Sequence, residues 1–284
     1  MSSEQSAQLA LGIYAVAAVV LVLRDVRRFE DGLAPWLMYF VQRLYIGMGF
    51  RWRANRRCPL PATGPAIIIA NHRSPIDPLM MWMNHHLRST EDDKDFRIIE
   101  FMVAREFCEL PGFIGWICRN MRSIPTERDG RDMRPAKEAL SRLKAGRMIG
   151  IFPEGRINKG TGLLEANPGV AWMALRSQVP VYPIFIHNAP QGRNMIEPFS
   201  NFRRVRVTYG DPIDLSEFYS ERKSKDVLKH VTDLMMHRLA KLGGLADDDD
   251  DDSEPPILPM QRQTTAQHAG DKNAQASGKR QLPG

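Results

Sequence analysis

The sequence predicts an α/β fold with a mostly parallel central sheet flanked by helices, preceded by membrane-associated helices at the N-terminus. Three observations carry this. Short apolar runs such as Ala66-Ile67-Ile68-Ile69-Ala70 have the character of strands buried on both faces. Stretches of helical periodicity alternate with them, and polar clusters stand at the carboxyl ends of three of the strand candidates. With 284 residues, 43% of them hydrophobic, the chain is long enough for one sizeable core plus appendages.

The elements can be taken in order. Leu9 to Leu23 is an almost wholly apolar run of 15 uncharged residues. As a helix it is about 22 Å long, short of a hydrocarbon core of roughly 30 Å, which predicts an anchor or a marginal span. No Lys or Arg precedes Arg24 and no small-residue cleavage site comes after it, so a signal peptide is not expected. Arg24, Arg27 and Arg28 then place the rest of the chain on the inner, cytoplasmic face. Leu33 to Phe50 mixes Trp36, Tyr39, Phe40 and Tyr45 with Gln42 and Arg43, as a helix lying in a membrane interface does. Arg51, Trp52, Arg53, Arg56 and Arg57 form a basic and aromatic strip suited to lipid head groups. A buried helix pair followed by a solvated loop is the competing reading of this region.

Strands are expected at Ala66 to Ala70, Glu100 to Ala104, Arg122 to Thr126, Arg147 to Phe152, Val181 to Ile186 and Val205 to Tyr209. Pro125 suits the third to an edge, because proline cannot donate to a ladder. Helices are expected from Pro78 to His85, Pro135 to Lys144 and Val170 to Ser177. In Asp226 to Leu242, Val227, Val231, Leu234, Met235, Leu239 and Leu242 recur at helical spacing and predict a core-facing helix. From Ala246 onward come six consecutive aspartates and a Gln, Thr, Ala and Gly rich end, which predict disorder. The expected organisation is a membrane-associated helical region at 1–57, a body at 58–245 and a tail at 246–284.

The tail carries four basic and eight acidic residues, so the total of +6 leaves +10 on the remainder. A basic body suits nucleic acid or anionic lipid, and the apolar N-terminus favours membrane lipid and no nucleic acid. Three cysteines, Cys58, Cys108 and Cys118, do not suggest a disulfide framework and read as small buried apolar residues. No metal is expected: no Cys pair has ligand spacing, and His85 and His86, adjacent on a helix, point in different directions.

The chemistry concentrates in Asn71-His72-Arg73-Ser74-Pro75-Ile76-Asp77, directly after the first apolar strand. A histidine near a carboxylate that sets its tautomer suits deprotonation of an alcohol. Asp77, before Pro78, could equally be a helix N-cap, and Ser74 reads as a turn residue. Arg147 to Phe152 runs into Pro153-Glu154-Gly155-Arg156, and Arg122 to Thr126 runs into Glu127-Arg128-Asp129-Gly130-Arg131. In an open parallel sheet the carboxyl ends of strands share one edge, where ligands bind. His72, Asp77, Arg128, Glu154 and Arg156 are therefore expected to face a common crevice.

His72 to Asp77, the Arg128 segment, Phe152-Pro153-Glu154-Gly155 and Val179-Pro180-Val181-Tyr182-Pro183 stand in the order of the four motifs of the glycerolipid acyltransferases. Over roughly residues 60 to 215 the chain resembles that superfamily, in particular its bacterial 1-acylglycerol-3-phosphate acyltransferases. The resemblance implies transfer of a fatty acyl group from coenzyme A or acyl-carrier protein to a lysophospholipid hydroxyl, without a separate cofactor. It implies that His72 is the general base and Asp77 its orienting partner. Arg128, with Arg156 or Arg131, would then clamp the acceptor phosphate through planar forks and Glu154 would accept from a glycerol hydroxyl, with Gly155, Arg122 and Pro180 also at the acceptor. Three positions depart from the pattern: Arg122 replaces a common glycine, Arg156-Ile157 stand where Thr-Arg is frequent, and Asn167 replaces a frequent lysine. On this reading one cation is lost and one gained near the site. Another lysophospholipid or an amino-acid lipid as acceptor, or a silent lipid-binding protein of the same fold, are the alternatives.

Overall fold

The computed structural model of the chain describes residues 3–27, 32–82, 97–127 and 132–246. Its centre is a seven-stranded sheet. The strands are β1 (Arg53–Ala54), β2 (Ala66–Ala70), β3 (Ile99–Ala104), β4 (Ile124–Thr126), β5 (Met148–Ile151), β6 (Val181–His187) and β7 (Arg206–Tyr209), in the order β1-β7-β6-β2-β5-β3-β4. Every neighbouring pair is parallel except β6 with β7. The apolar runs become the middle of the sheet because each residue of β2 and β5 is buried, and only central strands covered on both faces bury both sets of side chains. Pro125 lies on the edge strand β4, where its missing N–H costs no ladder bond to an outer neighbour.

Alternation along β2 divides the core in two. Ile68 faces a layer holding Tyr39, Phe50, Met80 and Trp82, while Ile67 and Ile69 face Leu143, Met173, Val231 and Met235. The first layer is closed by α2 (Leu33–Gly49) and α3 (Asp77–Trp82). The second is closed by α6 (Arg134–Lys144), α7 (Gly169–Ser177) and α9 (Lys225–Gly243). Ser224 caps α9 by accepting from the Val227 N–H, and Val231, Leu234, Met235 and Leu239 are buried as their spacing predicts. Short elements finish the connections: α4 (Arg105–Cys108), α5 (Phe113–Asn120), α8 (Glu197–Ser200) and a 3-10 turn at Ser216–Phe218.

The first helix, α1 (Ser3–Arg27), keeps Leu11, Val16 and Leu21 exposed. Its segment Ser3–Arg24, 22 residues long, is long and apolar enough to cross a membrane. Because the helix starts well before Leu9, its length of about 33 Å reaches the thickness of a hydrocarbon core. The next helix behaves differently. Tyr39, Ile46 and Phe50 are wholly buried, and the Tyr39 ring meets Trp82 edge-on at 5.1 Å. Immediately afterwards β1 pairs with β7, in register Arg53 with Arg206. A boundary at residue 57 thus cuts through the core. The body starts at α2, since its inner face and β1 complete hydrophobic and hydrogen-bonding surfaces that nothing else covers. Nearly all of the acidic tail, 247–284, lies outside the described residues.

Removing residues 1–31 should leave a body that melts cooperatively, and removing 1–57 should abolish the cooperative melt. Each large core side chain lost costs about 2–5 kcal/mol. Circular dichroism melts of the two truncations measure this, and an intact transition in the shorter protein would contradict the packing assigned to α2.

Candidate active site

Neighbouring strands β2 and β5, in register Ile69 with Ile151, end at the same edge of the sheet and deliver His72 and Glu154 side by side. Asn71 continues the sheet by one step. Its Nδ2 donates to the Ile186 carbonyl at 3.0 Å and its Oδ1 accepts from the Ile186 N–H at 2.7 Å. The His72 backbone is then gripped from both sides: its N–H donates to Glu154 Oε1 at 2.8 Å and its carbonyl accepts from the Asn158 N–H at 2.7 Å. The ring stacks on Phe152 with centroids 4.1 Å apart, and Phe152 stacks in turn on Phe101 at 5.9 Å.

His72 Nδ1 lies 3.0 Å from Asp77 Oδ2. The same oxygen accepts from the Arg73 and Ser74 N–H groups, both at 2.7 Å. Asp77 is wholly buried, whereas the His72 side chain is 17% exposed. A carboxylate can only accept, so the hydrogen bond places the proton on Nδ1 and leaves the Nε2 lone pair facing outward. Among the described residues Nε2 makes no hydrogen bond. The N-cap expected of Asp77 is not formed: the residue opens α3, and its side chain reaches back to the loop before it. The loop folds over it because the Asp77 N–H donates to the Ser74 carbonyl at 3.2 Å.

Glu154 is 2% exposed and both of its oxygens are taken by the protein. Oε1 receives the His72 N–H, and Oε2 receives Asn158 Nδ2 at 2.8 Å and the Leu164 N–H at 2.9 Å. Burial pushes its carboxyl above the ordinary range, with those three donors pulling the other way. The side chain expected to accept from a glycerol hydroxyl is instead a bracket for the His72 backbone. Gly155 follows with φ +66°, a left-handed conformation that favours glycine, and its N–H closes a turn on the Phe152 carbonyl at 3.0 Å. Arg156 is exposed beside this turn and, among the described residues, forms no ion pair.

Asn158 is the residue that sequence reasoning missed. It is buried, it donates through Nδ2 to the Gly162 carbonyl at 2.7 Å, and its Oδ1 accepts from the Gly160 N–H at 2.8 Å. Arg73 joins the same loop by donating to the Gly162 carbonyl at 3.1 Å. An asparagine four residues after the Glu, ahead of two glycines, is the signal that was present in the chain.

Other expected members stand elsewhere or lie outside the described residues. Arg128 and Arg131 lie outside the described residues, as do His85 and His86; Glu127, at the carboxyl end of β4, pairs with Arg105. Arg122 sits at the amino end of β4, before the strand rather than in it, on the edge opposite His72. Its φ is +49°, which explains a glycine in the family pattern on backbone grounds, and its carbonyl accepts from Arg142 Nη1. Asn167, by contrast, donates to the Pro153 carbonyl at 2.9 Å, so Arg122 does not replace a cation at 167. Pro180 is likewise at the far edge, where its carbonyl accepts from the Ile67 N–H at 3.0 Å. The cysteines stand apart from His72 in chemistry. Burial pushes the half-buried Cys58 thiol up to about 11, while a hydrogen bond between Cys108 and Cys118 lowers the Cys118 thiol and raises Cys108.

Residues 53–187, the span from β1 to the end of β6, match the acyltransferase family. A 1-acyl-sn-glycerol-3-phosphate acyltransferase of Haemophilus influenzae is 26% identical over 186 residues, covering 60% of this chain and 74% of that protein. Residues 53–187 are thus an acyltransferase-family segment, similar to the glycerolipid acyltransferase superfamily. Within it, an N-acylphosphatidylethanolamine synthase of Arabidopsis thaliana is 28% identical over 166 residues, covering 54% of this chain and 57% of that protein. The chain thus spans just over half the length of the Arabidopsis relative. The acyltransferase fold is shared with the 1-acyl-sn-glycerophosphate acyltransferase PlsC of Thermotoga maritima, with a TM-score of 0.53, 19% identity, and coverage of 86% of this chain and 98% of that one.

Two substitutions test how the site is held. Glu154→Ala strips the acceptor from three N–H donors, one of them that of His72, and should cost at least about 1–3 kcal/mol in urea unfolding. Its turnover should fall in protein that remains folded. Gly150→Ala places a Cβ 2.5 Å from the Phe101 ring, so the Phe101 and Phe152 rings behind His72 must move. Overpacking of this kind should cost about 1–3 kcal/mol in the same measurement.

Proposed function

We propose that this protein transfers a fatty acyl group from the thioester of acyl-CoA or acyl-carrier protein to the free hydroxyl of 1-acylglycerol-3-phosphate, giving phosphatidate. The observation that carries the proposal is the pair His72 and Asp77, with Nδ1 held by a wholly buried carboxylate and Nε2 left open. The matches to named lysophosphatidate acyltransferases support the choice of acceptor.

In this reading Nε2 takes the proton of the acceptor hydroxyl as its oxygen attacks the thioester carbonyl. The imidazolium formed is stabilised by Asp77 Oδ2, and it returns the proton to the departing thiolate when the tetrahedral intermediate collapses. An ester and a free thiol result. No enzyme nucleophile takes part: Ser74 is buried, and burial keeps Cys58 a thiol at neutral pH. Arg156, exposed beside Gly155, and Arg128 would hold the acceptor phosphate. The thioester arrives as a co-substrate and needs no further cofactor. With α1 as anchor, the body would work at the cytoplasmic face of the membrane, on lipid already there.

The Arabidopsis relative supports a second reading, in which the acceptor is the amine of phosphatidylethanolamine and His72 serves in the same way. Acyl transfer by the detergent-solubilised chain, measured across lysophospholipid, amino-lipid and phosphatidylethanolamine acceptors with both donor types, decides between them. Turnover on lysophosphatidate should dominate, and a preference for the amine would replace the first reading with the second. Absence of transfer to any acceptor would leave a silent lipid-binding protein.

His72→Ala should lower turnover by about 10²- to 10⁴-fold. Asp77→Asn should also be damaging, because it removes the charge that stabilises the imidazolium. Normal turnover in folded His72→Ala protein would end the mechanism.

A further inference from the structure

Helix α2 is apolar on two opposite sides. Its inner side enters the core, while Leu37, Val41, Leu44 and Met48, at spacings of four, three and four, stay 52–74% exposed on one stripe. A helix buried on one face only should be polar on the other, so this outer stripe calls for an apolar partner.

A second segment widens it. Phe202, in the connection between β6 and β7, lies against the C-terminal turn of α2, with its ring 5.2 Å from Phe50 and 6.1 Å from Tyr45. A Cβ on Gly49 would stand 2.7 Å from that ring, so the glycine makes room for it. The Tyr45 hydroxyl also donates to the Phe199 carbonyl. Phe202 is nevertheless 57% exposed, and Met195 and Ile196 in the same connection are 43% and 79% exposed.

Positive charge accompanies this apolar surface. Arg51 follows α2, and Arg203 and Arg204 follow Phe202; all three are exposed, and among the described residues none forms an ion pair. Arg53 and Arg206, paired in the β1 and β7 register, alternate with core residues that pack on α2 and so belong to the other face of the sheet. The same connection reaches the site. It leaves the carboxyl end of β6, which is parallel to β2, and Gln191 at its start donates to the carbonyl of Asn158, the residue that grips His72.

We infer that the segment from Gly192 to Arg204 is a second membrane-docking element, which together with the outer stripe of α2 seats on an anionic phospholipid bilayer and opens the His72 edge of the sheet onto that surface. Exposed apolar side chains enter the interface and the arginines meet the lipid phosphates, a combination suited to anionic bilayers. This rests on the membrane-bound reading of the chain and extends it beyond the N-terminal helices. An acyl acceptor embedded in the bilayer would then reach Nε2 without leaving its leaflet.

The test uses the full chain in vesicles of phosphatidylcholine and phosphatidylglycerol, with Cys58, Cys108 and Cys118 replaced by alanine and single fluorescent labels on Leu44→Cys, Ile196→Cys or Glu217→Cys. Nitroxides near the glycerol end of the lipid chains should quench the labels at 44 and 196 and leave 217 to an aqueous quencher. Quenching at 44 with 196 open to water overturns the inference and leaves the membrane-bound reading standing; loss of quenching at both also overturns the inference, and the membrane-bound reading falls with it only if the chain fails to float with the vesicles. Protection of 196 from either quencher, with crosslinks to a second chain or to acyl-carrier protein, assigns the surface to a protein partner and also overturns it. In native-cysteine protein, the double variant Met195→Glu, Ile196→Glu should slow transfer to a bilayer-embedded acceptor about tenfold. Transfer to a short-chain, water-soluble acceptor should be unchanged, and equal slowing of both would mark a structural defect instead.

Discussion

A single buried carboxylate organises the site. Glu154 accepts the N–H of His72 from one strand end and holds Asn158 and Leu164 in the loop that continues from its own strand. An ionised carboxylate is costly to bury, and its position is tolerable only where several N–H groups converge on it. The requirement works in both directions. The chain cannot place the Glu154 charge without fixing the His72 backbone, and it cannot fix that backbone without folding the 158–164 loop against it.

On this base a second buried carboxylate sets the imidazole. Asp77 Oδ2 collects the His72 Nδ1 and two loop N–H groups, so the ring orientation and the loop conformation are parts of one hydrogen-bonded unit. Stacking on Phe152 restricts the ring from the remaining side. The polar contacts and the aromatic stack leave Nε2 as the free face, which is the arrangement that a base acting on an incoming hydroxyl needs. The positioning is done before any substrate arrives.

The same sheet edge connects with the apolar surface of the body through packing and a hydrogen bond. Helix α2 belongs to the core by its inner side and presents apolar side chains on its outer side. Its C-terminal turn meets the connection that descends from β6, and that connection returns to Asn158 through Gln191. Residues far apart in the chain therefore form one face, with Arg51, Arg203 and Arg204 beside it.

The layers and the pairing of His72 with Asp77 were legible in the order of the amino acids. Apolar runs bounded by polar clusters marked the central strands because burial on both faces leaves no other composition open to them, and Pro125 marked an edge because it lacks a donor. His72 and Asp77 could be read together because they stand five positions apart in one loop. Long-range packing settled the rest. Glu154 looks like a ligand group in sequence and becomes a bracket because its partners come from a loop and from a neighbouring strand. Arg122 and Pro180 lie inside matching motifs, yet both stand at amino ends of their strands, where a parallel sheet carries them away from the His72 edge. The role of α2 was divided for the same reason: periodicity shows which residues share a face, and only packing shows which face the core takes.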